Sequence, residues 1–298
     1  MNIGTQYKPD DEFKAKARLF QSKYRAEVLK VEFQDYGNRL IDSDGKTLLN
    51  YYDKLNSREV LRQRYPSYSR ERDADLLRSE HIPFNLLAPL DTNQEVADSI
   101  ISKVWNIDCA EIQLIKIEYA PSPKEKYLND RTAFDTYLKV ILKNGNTCGI
   151  GIEVKYTEQA YPIGKTESTN IENQEFPYWQ TARASGFFKN PDDKIFGTDK
   201  YRQVWRNHLL GLKMIQVGDV DEFYSITLFP KGNNHFQHVI PEYISRLKDD
   251  AKSYLIGCTF EKFISSIQGS PEFEEWKEWL SQRYIMKISN KSIDSNKK

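Results

Sequence analysis

Three side chains near the middle of the chain carry the sharpest chemical signal: Asp135, and further on Glu153 and Lys155 in the run Glu153-Val154-Lys155. They lie in two stretches, 134–140 and 149–156, that read as strands joined across Asn144-Gly145-Asn146, a hairpin signal. Side chains alternate faces along a strand. Glu153 and Lys155 therefore share a face with Gly149 and Gly151, while Ile150, Ile152 and Val154 point to the core. On the first strand Thr136, Leu138 and Val140 take the core face and Asp135, Tyr137 and Lys139 the outward one. A two-residue turn at Asn144-Gly145 would set Asp135 opposite Val154 and mix the faces. A three-residue loop, Asn144-Gly145-Asn146, pairs Asp135 with Lys155 and Leu138 with Ile152, and keeps every apolar residue on one side. That register is expected, and it brings two carboxylates and an ammonium together.

Such a cluster suits metal-assisted hydrolysis of a phosphodiester. Asp135, Glu153 and the backbone carbonyl of Val154 offer hard oxygen ligands to Mg²⁺, with Mn²⁺ as a substitute. A metal there polarises a phosphoryl oxygen and acidifies a bound water. Lys155 would orient or deprotonate that water and support the growing negative charge. Gly149 and Gly151 leave room for a large substrate on the same face. The plain alternative is an Asp, a Glu and a Lys decorating a solvated hairpin.

Positioning these groups needs a framework, and hydrophobic periodicity supplies one. Helices are expected over 11–29 and 92–105, with Asp91, Thr92 or Asn93 as the second one's cap, and strands over 111–119, 132–143 and 147–157. Helices near 173–185 and 200–214, a strand over 222–229, and helices near 241–251, 259–267 and 271–284 complete the order. This is an α+β (α/β-like) chain with a four-stranded mixed sheet covered by helices. It divides into an N-terminal helical extension (1–74), a core (75–235), a C-terminal helical cap (236–288) and a flexible polar tail (289–298).

Composition narrows the function class. The 298 residues carry 43 Lys+Arg against 43 Asp+Glu, so any nucleic-acid surface is a local groove and not the whole molecule. Apolar runs such as 149–154 fall far short of the roughly 20 residues a spanning helix needs. The polar N-terminus does not read as a signal peptide. Cys109, Cys148 and Cys258 are far apart without a nearby histidine, which suits reduced thiols in a cytoplasmic protein and argues against a zinc site. There is no P-loop signature.

Asp135 followed by Glu153-Val154-Lys155 resembles the signature of the PD-(D/E)XK nuclease superfamily, whose core is an αβββαβ unit. The blocks at 76–90, 130–135, 151–158 and 201–210, with Trp279…Arg283-Tyr284, are similar to bacterial restriction-endonuclease-like proteins of that superfamily. The resemblance spans most of the chain. It implies Asp135 and Glu153 as metal ligands, Lys155 as the catalytic lysine, and Mg²⁺-dependent cleavage of DNA. A homodimer would suit duplex cutting. The chain departs from the pattern at Phe134, where the superfamily's name has Pro, and at Ser79-Glu80, where Ser-Gln is expected.

Glu80, Glu158 and Gln203 are candidate auxiliary groups and Asp130 is read as capping or orienting the turn before Asp135; Glu118, at the end of the first strand, is read as an ordinary strand-end carboxylate in preference to one that approaches the metal. Arg62, Arg64, Arg131 and Arg206 are candidate DNA contacts; Arg62 and Arg64 belong to a basic run with Arg70, Arg72, Tyr65 and Tyr68. The rival to a nuclease is a catalytically weak or inactive nucleic-acid-binding protein on the same scaffold. A further rival is an interaction protein with no nucleic-acid chemistry.

Overall fold

The computed structural model describes residues 2–160 and 162–286, so the expected tail at 289–298 lies outside the described residues. Helix α1 (Glu12–Lys23) opens on Asp11, whose carboxylate accepts the Lys14 N–H at 2.9 Å, and a π-helical turn (Tyr24–Leu29) continues it. Short helices α2 (Asp42–Lys46), α3 (Ser57–Arg64) and α4 (Ile82–Leu86) follow. Of the three candidate caps, Asn93 starts α5 (Gln94–Val104), its side chain accepting the Val96 N–H at 3.1 Å. Then come β1 (Cys109–Tyr119), β2 (Phe134–Leu142), β3 (Thr147–Val154), α6 (Lys165–Glu172), α7 (Pro177–Ser185), α8 (Arg202–Gln216) and β4 (Glu222–Phe229). The chain closes with α9 (Asn234–Ile244), β5 (Leu255–Thr259), α10 (Phe260–Ser265) and α11 (Pro271–Tyr284). Helix α9 starts at Asn233, which accepts the Phe236 N–H, and runs through Pro241 where the sequence reading begins a helix.

The sheet has five strands in the order β1-β2-β3-β4-β5, one more than expected. β1–β2 and β2–β3 are antiparallel, the first pair linked by the long segment 120–133 and the second by a tight turn; β3–β4 and β4–β5 are parallel, and helices carry the crossovers. The added strand, Leu255-Ile-Gly-Cys-Thr259, is short, holds a glycine and leads straight into α10, so it lacks the alternation that marks the others. No helix among the described residues is long and apolar enough to cross a membrane.

The hairpin register differs from the expected one by two residues. Thr136 pairs with Ile152 and Leu138 with Ile150, which sets Asp135 opposite Glu153 in place of Lys155. The cause lies in the loop, which is Lys143-Asn144-Gly145. Gly145 takes the left-handed conformation (φ 89°) and donates its N–H to Leu142 C=O at 2.9 Å, while Leu142 N–H reaches Asn146 C=O at 2.9 Å. Because faces alternate with period two, a shift of two leaves Leu138, Val140, Ile150 and Ile152 on one face.

The other face is not outward. Leu138, Val140, Ile150 and Ile152 pack with α5, α11 and the N-terminal segment in one core, which includes Tyr51, Phe84, Trp276 and Leu280. Across the sheet, Phe134, Tyr137 and Phe223 pack with α7, α8 and α9 in a second core holding Trp179, Trp205 and Tyr243. Gly149 and Gly151 therefore do not leave room for substrate. A Cβ on Gly151 would lie 2.5 Å from the Phe134 ring, and one on Gly149 or on Gly211 of α8 would lie 2.6 or 2.1 Å from Phe223. The glycines admit two aromatic rings between sheet and helix.

Candidate active site

The site sits where β2 begins and β3 ends. The β2–β3 ladder stops at the Thr136–Ile152 pair, so the Val154 peptide lies past its end on that edge. Its N–H is taken by the Asp135 side chain, whose Oδ2 accepts it at 2.6 Å. Glu153 shares out its two oxygens. Oε1 meets Lys155 Nζ at 2.5 Å, and Oε2 accepts the Asn207 Nδ2 of α8 at 2.6 Å. Both side chains of the ion pair are largely buried, 17% exposed for Glu153 and 8% for Lys155. Lys155 is held on the strand path by its own N–H, which donates to Leu228 C=O of β4 at 2.8 Å. The next residues are pinned as well: Asn233 Nδ2 donates to the carbonyls of Tyr156 and Glu158, and the Tyr156 hydroxyl accepts from Gln21 of α1 at 2.6 Å.

Burial pushes the Asp135 carboxyl well above the ordinary carboxylate range, with repulsion from Glu153 adding to it; Lys155 and the Val154 N–H pull it down. Glu118 joins this field. The register of Ile117 with Thr136 and Tyr119 with Phe134 places it beside Asp135. Its backbone is left-handed (φ 56°), and the strand changes sides there: Ile117 packs in the first core, while Tyr119 stacks on Tyr137 of the second at 4.4 Å. A non-glycine residue held in that conformation costs on the order of 1–3 kcal/mol and is common at functional sites. Burial raises Glu118 to about 7; Arg64 opposes the rise, and Glu153 and Glu80 add to it.

The family model described as the PD-(D/E)XK nuclease superfamily matches residues 8–286. The chain belongs to that superfamily. No curated protein and no solved structure matches it. The match covers the restriction-endonuclease-like α+β sheet together with most of the N-terminal segment and the C-terminal helices.

Within this PD-(D/E)XK chain the other candidates separate. Glu80 is exposed, pairs with Arg78 at 3.3 Å and acts on Glu118. Glu158 turns back to the backbone, accepting the N–H groups of Tyr156 at 2.8 Å and Ser79 at 3.3 Å, so it ties the loop carrying Glu80 to the end of β3. Gln203 lies on α8, its Oε1 buried without a hydrogen-bond partner among the described residues. Arg206 is engaged by the protein: it donates to Thr132 Oγ1 at 2.8 Å and pairs with Glu167 at 2.6 Å and Asp130 at 3.2 Å. Asp130 also accepts from Thr132 N and Tyr178 Oη, at 2.8 and 2.5 Å. This network fixes the segment entering β2.

The basic run splits. Arg70 pairs with Asp42 and Arg72 with Asp73, whereas Arg62 and Arg64 are exposed on α3, with Arg64 also over the Tyr65 ring at 4.8 Å. Arg131 is exposed just ahead of β2. Asn207 escaped the sequence reading, which favoured Gln203 and Arg206. Gln203, Asn207 and Gly211 recur at intervals of four, one row of α8, and Gly211 against Phe223 marks that row as the one facing the sheet.

The donor set fits a hard divalent cation. It consists of oxygens, and its two central carboxylates repel one another in a buried setting that a cation would relieve. No three His, Cys, Asp or Glu side chains among the described residues form a ready cage. A site of two carboxylates completed by water and phosphate is the pattern Mg²⁺ commonly takes.

Proposed function

We propose that this chain is a metal-dependent nuclease that hydrolyses DNA phosphodiester bonds. The observation that carries the reading is the placement of Asp135 opposite Glu153, with Lys155 Nζ 2.5 Å from Glu153 and the Val154 peptide beyond the last ladder pair. Asp135, Glu153 and the Val154 carbonyl would hold Mg²⁺ or Mn²⁺. When bound, the ion supplies positive charge for the phosphoryl oxygens and a water of lowered pKa. Lys155, already desolvated beside Glu153, keeps its ammonium at the reacting group, where it orients the attacking water and stabilises the charge that develops. Gln203 Oε1, a buried acceptor without a donor among the described residues, is suited to receive an O–H from that water. Arg62, Arg64 and Arg131 supply exposed cations for the phosphate backbone.

The test is cleavage of plasmid and linear DNA with Mg²⁺ or Mn²⁺, against EDTA. Lys155→Ala is expected to reduce the rate by about 10²-fold or more while circular dichroism stays unchanged. Metal-independent cleavage, or full activity in Lys155→Ala, would overturn the reading. Salt-sensitive DNA binding without cleavage by the wild-type protein would favour the binding-protein alternative.

A further inference from the structure

We infer that Asn207 is a positioning residue that sets how tightly Glu153 binds the divalent cation; this rests on the reading of Asp135 and Glu153 as metal ligands. Glu153 is gripped from two sides by groups of different kind. Lys155 takes Oε1 as a charged donor that also serves the chemistry, and Asn207 takes Oε2 as a neutral one at 2.6 Å. An ionised carboxylate only accepts, so the Asn207 amide must present its Nδ2 there, and its orientation is fixed by the contact. Neutrality matters. A second ammonium at this position would compete with the cation for Glu153, and a carboxylate would add to a field that already pushes Asp135 and Glu118 upward.

The residue is placed rigidly enough for the task. Asn207 lies one turn before Gly211, whose missing side chain lets α8 settle on the Phe223 ring of β4, and one turn after Gln203. Trp205 and Leu209 on α8 are fully buried in the second core. The amide therefore reaches Glu153 from a helix packed against β3 and β4, not from a loop. Without it, the Glu153 carboxylate would be free to follow Lys155, and its conformation would have to be ordered anew each time an ion binds. Hydrogen bonds of this kind to ligating carboxylates typically tune metal affinity by about 10–100-fold.

The experiment measures Mn²⁺ binding to the full chain by calorimetry without DNA, for the wild type, Asp135→Asn, Asn207→Ala and Asn207→Leu. Leucine keeps the packing volume and loses the donor, so it serves if alanine fails to fold. Both Asn207 variants are expected to weaken Mn²⁺ about tenfold, with cleavage recovering to within about threefold of wild type at saturating Mn²⁺. A merely structural role would lower the melting temperature and leave metal affinity unmoved. Wild-type affinity in folded Asn207→Leu, alongside loss of binding in Asp135→Asn, overturns the role of Asn207 alone. Absence of Mn²⁺ binding by the folded wild type overturns the underlying reading, and this inference with it.

Discussion

Two places in this molecule bury charge, and they solve the problem in opposite ways. Arg283, fully buried near the end of α11, has no carboxylate on its guanidinium among the described residues. Its Nη atoms donate to Gln21 Oε1, to Asn50 Oδ1 at 2.8 Å, to Leu76 C=O at 3.2 Å and to His81 Nε2 at 3.3 Å, and the Tyr24 and Tyr284 rings lie alongside at 5.0 and 4.8 Å. One cation is met by neutral dipoles drawn from the N-terminal segment, the loop before α4 and the C-terminal helix. At the head of β2 the balance is reversed. Asp135, Glu153 and Glu118 sit close together, and burial, with repulsion from neighbouring carboxylates added to it, raises both Asp135 and Glu118. The first arrangement meets both Nη atoms with acceptors, leaving only Nε without a partner among the described residues, and has the character of a structural clamp. The second crowds three carboxyl groups around one ammonium, so that ionising all three is opposed until further positive charge is supplied.

The largest expected contrast is in stability. Arg283→Leu leaves the acceptors of Gln21, Asn50 and Leu76 without their donor, at about 1–3 kcal/mol for an unsatisfied buried group, so a loss of about 3 kcal/mol in urea denaturation is expected. Asp135→Asn removes a repelled carboxylate and keeps an acceptor for the Val154 N–H. Its stability should match the wild type within about 0.5 kcal/mol or exceed it, even as cleavage is lost. Equal losses in the two variants would erase the distinction between clamp and site.

That contrast also shows what a sequence can carry. Asp135 and Glu153-Val154-Lys155 were legible because a chemical pattern and a period-two pattern coincide there. The strand faces were legible too, and Asn144-Gly145 marked the turn. The register slipped because a loop of the right length can be placed one residue further along without disturbing alternation; only the left-handed Gly145 decides between the two positions. β5 was hidden by its shortness. The glycines misled for a different reason: a missing side chain signals space, and whether substrate or a phenylalanine fills it depends on α8, far along the chain. Asn207 and the Arg283 clamp are likewise products of packing between distant segments, and a single asparagine or arginine has no local pattern to announce it.

Titration offers a finer separation, because the two regions slope in opposite directions with pH. Glu118 is raised in the folded protein to about 7 from an ordinary 4.5, so between those values the folded state binds more protons than the unfolded one. Its contribution to the stability of metal-free protein therefore declines as pH rises from about 4.5 to about 7. His81 is the reverse. Burial, then the Arg283 charge, lowers it well below its ordinary 6.5. The unfolded state takes the proton first, and this contribution grows as pH rises toward 6.5 and is lost below it. Urea denaturation in EDTA across pH 4.5–7.5 should show Glu118→Gln reducing the decline, the remainder belonging to Asp135, and His81→Phe reducing the rise. A Glu118→Gln curve parallel to wild type would mean that the carboxylate does not feel the field assigned to it.

The smallest effect lies at the surface, where the same question of paired against unpaired charge distinguishes two exposed arginines of one basic run. Arg70 is engaged by Asp42 at 2.9 and 3.0 Å and holds that carboxyl well below its usual range. Arg62, on α3, is exposed without an ion pair among the described residues, on the helix whose last residue, Arg64, acts on Glu118. A phosphate contact releases counterions and steepens the dependence of affinity on salt, by roughly one in slope per contact on duplex DNA. In a Lys155→Ala background, so that DNA stays intact, Arg62→Ala should weaken duplex binding a few-fold and lower the salt slope by about one. Arg70→Ala should leave the slope unchanged, since its charge is already spent on Asp42. Fluorescence anisotropy over a range of salt reads both. An unchanged slope in Arg62→Ala would remove Arg62 from the DNA path and leave Arg131, exposed just ahead of β2, as the cation to test next.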